Sequence, residues 1–169
     1  PLFFFFFFAL YWALPFRGQN WLLLAASYVF YGWWGFFVPG ISGFEKVLPL
    51  TLLVTSTLAT HYCARGFSAA PENSGRRRAI FWLGIGINVA LLGYFKYRGF
   101  FVENLEALLA QFGWTLTLPE RHFILPAGIS FYTFQALAFL IDVYGGSHKA
   151  PERLRDFALF HAYFPQLVA

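Results

Sequence analysis

The chain has 169 residues, of which 59% are hydrophobic and 23% aromatic, while only 12% are charged. A soluble globular domain carries about 25% charged residues, so this composition leaves too little polar surface for a particle folded in water and predicts a protein embedded in lipid. The alternative, a soluble protein with an unusually large core, is disfavoured because the apolar residues form long blocks without an amphipathic period. The net charge of +4 does not indicate nucleic-acid binding, because the basic residues lie between apolar blocks, as in cytoplasmic loops.

Both ends of the sequence lie inside apolar runs. The chain begins at Pro1 without an initiator Met and stops at Ala169. We therefore expect it to be a piece of a longer protein. Its single cysteine, Cys63, cannot form a disulfide within these residues.

Six apolar blocks follow one another along the chain. A membrane helix needs roughly 20 mostly apolar residues, and we predict helices at about residues 1–16, 19–38, 47–64, 79–95, 123–141 and 154–169. The predicted fold is all-α: a polytopic transmembrane helix bundle that forms a single incomplete domain. The first block could instead be a signal peptide, but it lacks a basic segment and a small-residue cleavage site before Arg17.

The second block ends in aromatic residues typical of a membrane interface, and the third carries a face of hydroxyl groups. The hydroxyl face consists of Thr51, Thr55, Ser56 and Thr60, which can bond within their own helix or to a neighbour. Residues 65–78 then read as a loop, with Pro71, Asn73 and Gly75 before three consecutive arginines, Arg76, Arg77 and Arg78. The positive-inside rule places this loop in the cytoplasm and the N-terminus outside.

The fourth block contains Gly84, Gly86 and Gly93, small residues that let helices approach closely in lipid. The more polar stretch that follows, residues 96–121, has apolar residues at helical spacing and predicts an amphipathic helix lying along the interface. The fifth block has Pro126 and Gly128 near its start, which indicates a kinked or re-entrant segment. It is also the most polar of the six.

No set of residues forms a catalytic or metal-binding pattern. The four histidines lack ligand spacing, and Tyr132 stands where a nucleophile elbow built around Ser130 would need Gly. His161 lies within an apolar segment and is interpreted as a histidine hydrogen-bonded inside a helix bundle. Asp142 either caps its helix, pairs with Lys149 or Arg153, or lines a polar pathway.

Six polar residues in or beside apolar blocks are candidates for lining a pathway through the protein, although helix packing would explain each equally well. They are Lys96, Ser130, Tyr132, Gln135, Asp142 and Gln166.

Specific motifs appear in the last two blocks. The run Leu125-Pro126-Ala127-Gly128-Ile129-Ser130-Phe131-Tyr132-Thr133-Phe134-Gln135, the run Leu140 to Gly146 and the closing Phe164-Pro165-Gln166-Leu167-Val168-Ala169 resemble the membrane-bound O-acyltransferase family. Gly93 to Tyr97 is similar to the motif that ends the family's fourth block, and Arg17 to Trp34 to its first hairpin. Where the family often shows an Asp-Tyr pair, this chain has His61-Tyr62.

The resemblance implies an N-terminal fragment of an acyltransferase, closest to the branch that acts in bacterial alginate O-acetylation. It implies an inner-membrane enzyme that takes an acyl group from acetyl-CoA or another acyl thioester, with no bound cofactor. It also implies an extracytoplasmic partner protein and a polysaccharide acceptor. The family's catalytic His lies beyond Ala169, so this fragment alone is expected to be inactive. Two alternatives stay open: a non-enzymatic transporter or scaffold subunit, and D-alanyl transfer to teichoic acid.

Overall fold

The computed structural model describes residues 10–37, 43–114 and 128–163, and every regular element within them is helical. This confirms the all-α prediction for the described part of the chain. Five helices follow in order: α1 (Phe16–Phe37), α2 (Leu48–Ser68), α3 (Gly75–Gln111), α4 (Ile129–Tyr144) and α5 (Leu154–Ala162). A short 3-10 helix, Gly43–Lys46, precedes α2.

The helices run alternately up and down around α2, which contacts each of the other four. Three contacts identify the end of the bundle where α2 gives way to α3. Arg65 donates from Nη1 to the carbonyl oxygen of Glu152 at 3.1 Å, Arg77 donates from Nη2 to the carbonyl oxygen of Tyr144 at 2.9 Å, and the Arg155 guanidinium lies 5.7 Å from the centre of the Trp21 ring. The α2–α3 turn, the α4–α5 turn and the start of α1 therefore share one end, called here the arginine end.

The interior of the bundle is layered. Near the arginine end, Cys63, Ala64 and Phe67 of α2 pack with Leu140 and Val143 of α4. Toward the opposite end, a second apolar cluster joins all five helices; it contains Tyr31, Leu48, Leu52, Leu53, Leu92, Ile129, Tyr132 and Ala162. Along α2, residues 56–61 lie between these two clusters, and the side chains buried there are polar. The fold thus places a polar layer between two apolar ones.

Two boundaries differ from those predicted. The turn after α2 is shorter than the expected loop 65–78, because α2 continues to Ser68 and α3 begins at Gly75. Ser74 caps α3 by accepting a hydrogen bond at 3.1 Å from the backbone N–H of Arg77, so the three arginines form the first turn of a helix. Their charge does not prevent this, since Arg76 and Arg78 are exposed and Arg77 bonds to a carbonyl of α4.

The expected interfacial helix within residues 96–121 is not separate over its described part. It continues α3, which runs for 37 residues without a break. No proline occurs between Ala79 and Gln111, and Gly99 alone disfavours a helix by only about 1 kcal/mol. Residues 115–127, which include Pro126 and the start of the fifth block, lie outside the described residues.

One helical segment in the described residues is long and apolar enough to cross a membrane. It is Gly75–Tyr97 of α3, with a mean hydropathy of 1.5, and only 11% of its most apolar stretch is buried against the other helices. The apolar helix α4 is shorter, at 16 residues.

Arg77 fastens the first turn of α3 to the last turn of α4. Besides its hydrogen bond, its guanidinium lies 4.9 Å from the centre of the Tyr144 ring. We expect Arg77→Gln to lower the free energy of unfolding by about 1 kcal/mol, because it removes a charged donor and a cation–π contact. Denaturant unfolding followed by tryptophan fluorescence would measure this. Arg76→Gln, at an exposed position next to it, is the matched control, and an equal loss for both variants would contradict the assignment.

Candidate functional site

The polar layer is the candidate functional site, because it gathers buried polar side chains from all five helices. Its members are almost fully excluded from solvent: Ser27 from α1; Ser56, Thr57, Thr60 and His61 from α2; Asn88 from α3; Thr133 from α4; and His161 from α5. Buried polar groups are retained where hydrogen bonds satisfy them. The bonds within the layer therefore show how it is organised.

Asn88 is the hub of the layer. Its Nδ2 donates to the carbonyl oxygen of Gly84 at 2.9 Å and to Thr60 Oγ1 at 3.1 Å, while its Oδ1 accepts from Ser56 Oγ at 2.6 Å. The amide orientation is fixed chemically, because the Gly84 carbonyl can only accept and must therefore face Nδ2. Asn88 thus ties α3 to two successive turns of α2.

His161 joins the same network through its Nε2, which lies 3.1 Å from Ser56 Oγ. The one hydroxyl proton of Ser56 is already donated to Asn88, so His161 Nε2 must carry the proton of this second bond. The neutral ring then has its lone pair on Nδ1. A serine activated as a nucleophile donates its proton to the histidine; here the histidine donates to the serine, so the pair is not arranged for nucleophilic catalysis.

Aromatic rings surround the two buried histidines. The Phe157 ring stacks on His161, with centroids 5.5 Å apart and an interplanar angle of 16°. The centroid of the Phe157 ring also lies 6.0 Å from the centroid of the His61 ring. Tyr132 meets His161 edge-on, with ring centroids 5.7 Å apart. The interpretation of His161 as a hydrogen-bonded histidine inside a bundle agrees with this environment.

Three buried polar atoms have no hydrogen-bond partner among the described residues: the hydroxyl of Tyr132 and the Nδ1 atoms of His61 and His161. Two of these groups, Tyr132 and His161, are in direct ring contact. Tyr132 is one of the six pathway candidates, and it is the only one of the five described candidates that is fully buried.

The other pathway candidates lie elsewhere. Lys96 donates from Nζ to Ser130 Oγ at 3.1 Å, at the end of the bundle opposite the arginine end. Gln135 donates from Nε2 to the carbonyl oxygen of Phe160 at 3.2 Å and so bridges α4 and α5. Gln166 lies outside the described residues.

Asp142 is exposed near the arginine end. Its Oδ2 lies 3.9 Å from His148 Nδ1, a neighbour that was not among the pairing alternatives, Lys149 and Arg153, considered from the sequence. Asp142 also borders a cleft of about 420 Å³ between α4 and α5, lined mainly by aromatic and other apolar side chains together with a few polar ones. Asp142 and Gln135 thus share one surface cleft, whereas Tyr132 lies in the interior.

A metal centre is not found in the described part of the chain, where no three His, Cys, Asp or Glu side chains come together. The layer instead offers neutral hydrogen-bonding groups: hydroxyls, an amide and imidazoles. Such a set suits the recognition of neutral polar groups.

Sequence reasoning identified the hydroxyl face of α2 and the unusual position of His161, but it did not identify Asn88. The sequence does mark this residue, because Asn88 is the one amide side chain within the apolar block 79–95. Polar residues at such positions usually face the interior of a bundle and bond to neighbouring helices.

Comparison with known proteins finds relatives that are named as bacterial O-acetylases or O-acetyltransferases. A probable alginate O-acetylase of Pseudomonas putida is 39% identical over 96% of this chain and 31% of its own length. The corresponding protein of Azotobacter vinelandii is 38% identical over 96% of this chain and 30% of its length. A peptidoglycan O-acetyltransferase of Helicobacter pylori is 31% identical over 92% of this chain and 31% of its length.

No family profile matches the chain, and no solved structure matches it. The chain spans about 30% of the length of the curated relatives. The similarity nevertheless extends over nearly all of the chain, which confirms the resemblance drawn from its motifs. The chain belongs to the family of the probable alginate O-acetylases.

Proposed function

We propose that the protein to which this chain belongs is a membrane-bound O-acyltransferase that acetylates an extracellular polysaccharide such as alginate. The observation that carries the proposal is the 36–39% identity to several probable alginate O-acetylases over 96% of the chain. The acyl donor in this proposal is acetyl-CoA or another acyl thioester on the cytoplasmic side. An extracytoplasmic partner protein completes transfer to the polysaccharide.

The proposed location is the bacterial inner membrane, with several helices crossing it, the arginine end in the cytoplasm and the N-terminus outside. Charge asymmetry supports this orientation. Eight of the twelve Lys and Arg residues belong to the arginine end: Arg17, Arg65, Arg76, Arg77, Arg78, Lys149, Arg153 and Arg155. Excess Lys and Arg marks cytoplasmic loops.

Within such a protein, this chain contributes part of the helical wall around the acyl pathway. Polar groups at membrane depth are costly and mark pathways or sites, and the polar layer lies between the two apolar clusters of the bundle. The histidine that performs catalysis in this family has no counterpart among these positions, and we assign no catalytic residue here.

Deleting the complete gene is expected to abolish ester-linked acetate on the exported polysaccharide, and reintroducing the gene is expected to restore it. Proton NMR of the purified polysaccharide before and after mild alkaline de-esterification measures the acetate. Unchanged acetylation in the deletion strain would contradict an enzymatic role on this polymer. It would leave the transporter or scaffold alternative.

A second acceptor is favoured by the Helicobacter pylori relative, which is named a peptidoglycan O-acetyltransferase. The same deletion strain distinguishes the polymers, because muropeptide analysis would then show the loss of acetate from peptidoglycan. Loss of D-alanine esters from teichoic acid, with acetate intact, would instead support D-alanyl transfer.

The orientation has its own test. In a background from which every native cysteine of the complete protein, Cys63 included, has been removed, a membrane-impermeant maleimide is expected to label Glu72→Cys and Ser147→Cys only after the cytoplasmic face is opened, because both positions are exposed at the arginine end. Asn104→Cys, an exposed position in the distal part of α3, is expected to react in intact spheroplasts. The reverse pattern would invert the proposed topology.

A further inference from the structure

The Tyr132 hydroxyl and His161 Nδ1 form a pair of buried polar atoms on adjacent helices. Both side chains are 0% exposed, their rings are in edge-on contact with centroids 5.7 Å apart, and neither atom has a hydrogen-bond partner among the described residues. His161 also bonds to Ser56, so the pair adjoins the network of Ser56, Asn88 and Thr60.

The chemistry of the two atoms is complementary. Because His161 Nε2 donates to Ser56, His161 Nδ1 carries a lone pair and can only accept. The Tyr132 hydroxyl can both donate and accept. A ligand held by both must therefore donate at least one hydrogen bond, and it must be small and neutral, because the contacting groups are uncharged and packed among aromatic rings.

We propose that Tyr132 and His161 bind one ordered water molecule inside the helix bundle, bridging α4 and α5. Water donates to His161 Nδ1 and exchanges a second hydrogen bond with the Tyr132 hydroxyl, which meets the requirement of two to four polar partners for an interior water. The bridge extends the Asn88 network to α4. It gives Tyr132 a role in joining helices rather than in packing alone.

Two other ways of satisfying these atoms are less compatible with the structure. A metal ion would need further ligands, and no group of three ligating side chains exists in the described part of the chain. A direct bond is not formed, since both atoms lack a hydrogen-bond partner among the described residues, and forming one would require the Tyr132 ring to turn against its neighbour. Tyr31 contacts the Tyr132 ring with centroids 6.2 Å apart, and the hydroxyl is fixed rigidly to that ring.

The first test is the thermal stability of the complete protein in detergent. If the water is bound, Tyr132→Phe is expected to lower the unfolding midpoint by about 2 °C or more, although it removes no hydrogen bond between protein groups. If the hydroxyl is truly unpartnered, the same change is expected to leave the midpoint unchanged or raise it, since replacing an unsatisfied polar group with an apolar one is neutral or stabilising. Tyr62→Phe, on the exposed side of α2, is the matched control and should have no effect.

The second test is direct and holds even if the variant fails to fold. A high-resolution experimental structure of the complete wild-type protein is expected to show a density peak within hydrogen-bonding distance of both Tyr132 Oη and His161 Nδ1. A direct bond between the two atoms, a protein side chain on either atom, or an empty space at a resolution that reveals other interior waters would overturn the proposal. Neither test depends on acetyl transfer, so the site stands or falls independently of the proposed function.

Discussion

Replacing Asn88 with Leu is expected to lower the free energy of unfolding by about 2–3 kcal/mol. The substitution retains much of the side-chain volume but removes the hydrogen bonds to Ser56 and Thr60. Each buried hydroxyl left without a partner costs about 1–3 kcal/mol. The total stays below the sum of two such costs, because Ser56 keeps its contact with His161. A serine or threonine in a helix can also turn back to a carbonyl of the preceding turn, as Thr57 already does toward Leu53.

Asn104→Leu is a matched control on the same helix. Its Nδ2 donates to the carbonyl oxygen of Phe100 at 2.6 Å, the same i to i−4 geometry as the bond from Asn88 to Gly84, but Asn104 is exposed. Unfolding in mixed micelles with increasing denaturing detergent would compare the two variants. Equal stability of the Asn88 and Asn104 variants would contradict the role of Asn88 as the hub of the polar layer.

The Asn88→Leu variant also tests how the polar layer orients the His161 ring. Without Asn88 to accept the Ser56 proton, the hydroxyl can turn toward His161 and donate to it, which allows the other imidazole tautomer. The nitrogen NMR shifts of His161 in the complete protein are therefore expected to change in Asn88→Leu and to stay the same in Asn104→Leu.

The helices of the fold could be predicted from the sequence because each depends on residues close together in the chain. Long apolar blocks give the helices, and the position of Ser74 before three arginines gives a helix start once its capping role is recognised. The continuity of α3 beyond Tyr97 follows from the lack of proline, but the rise in polarity there favoured a separate helix. Polarity reports the environment of a helix, whereas its continuity depends on backbone hydrogen bonding.

The polar layer could be predicted only in part. The hydroxyl face of α2 is visible as a pattern, but its partners come from other helices. Ser56 lies 32 positions before Asn88 and 105 positions before His161. No local periodicity specifies which helix presents its polar residue to which neighbour, since that depends on how the helices pack.

The arrangement of charges links the fold to the proposed orientation. Arg65 and Arg77 bond to backbone carbonyls at the α4–α5 turn, and this brings Lys149, Arg153 and Arg155 to the same end as the three consecutive arginines. Sequence alone could count basic residues loop by loop up to α3, but it could not assign the α4–α5 turn to a side. The contacts between turns supply that assignment.

Gly84 lies where α3 closely approaches α2 and α4, and Gly84→Ala is expected to lower the free energy of unfolding by about 1–3 kcal/mol. A Cβ atom at this position would lie 2.9 Å from Cys63 Cβ on α2 and 3.2 Å from Leu140 Cδ1 on α4. Both neighbours are buried, and Cβ of Cys63 is fixed to the backbone, so α2 and α3 would have to move apart. Overpacking of this kind typically costs about 1–3 kcal/mol.

Gly86→Ala, two residues further along α3, is expected to raise the free energy of unfolding instead of lowering it. Nothing lies within 4 Å of a Cβ built at Gly86 or at Gly93. The expectation that the glycines of this block allow close packing of helices therefore holds for Gly84 but not for Gly86 or Gly93. With no contact to lose, alanine at position 86 gains helix propensity of up to about 1 kcal/mol. Both variants would be measured in the same detergent series. A destabilised Gly86→Ala together with a neutral Gly84→Ala would mean that α3 packs through a different face, and the placement of Asn88, one turn beyond Gly84 on that face, would then be wrong as well.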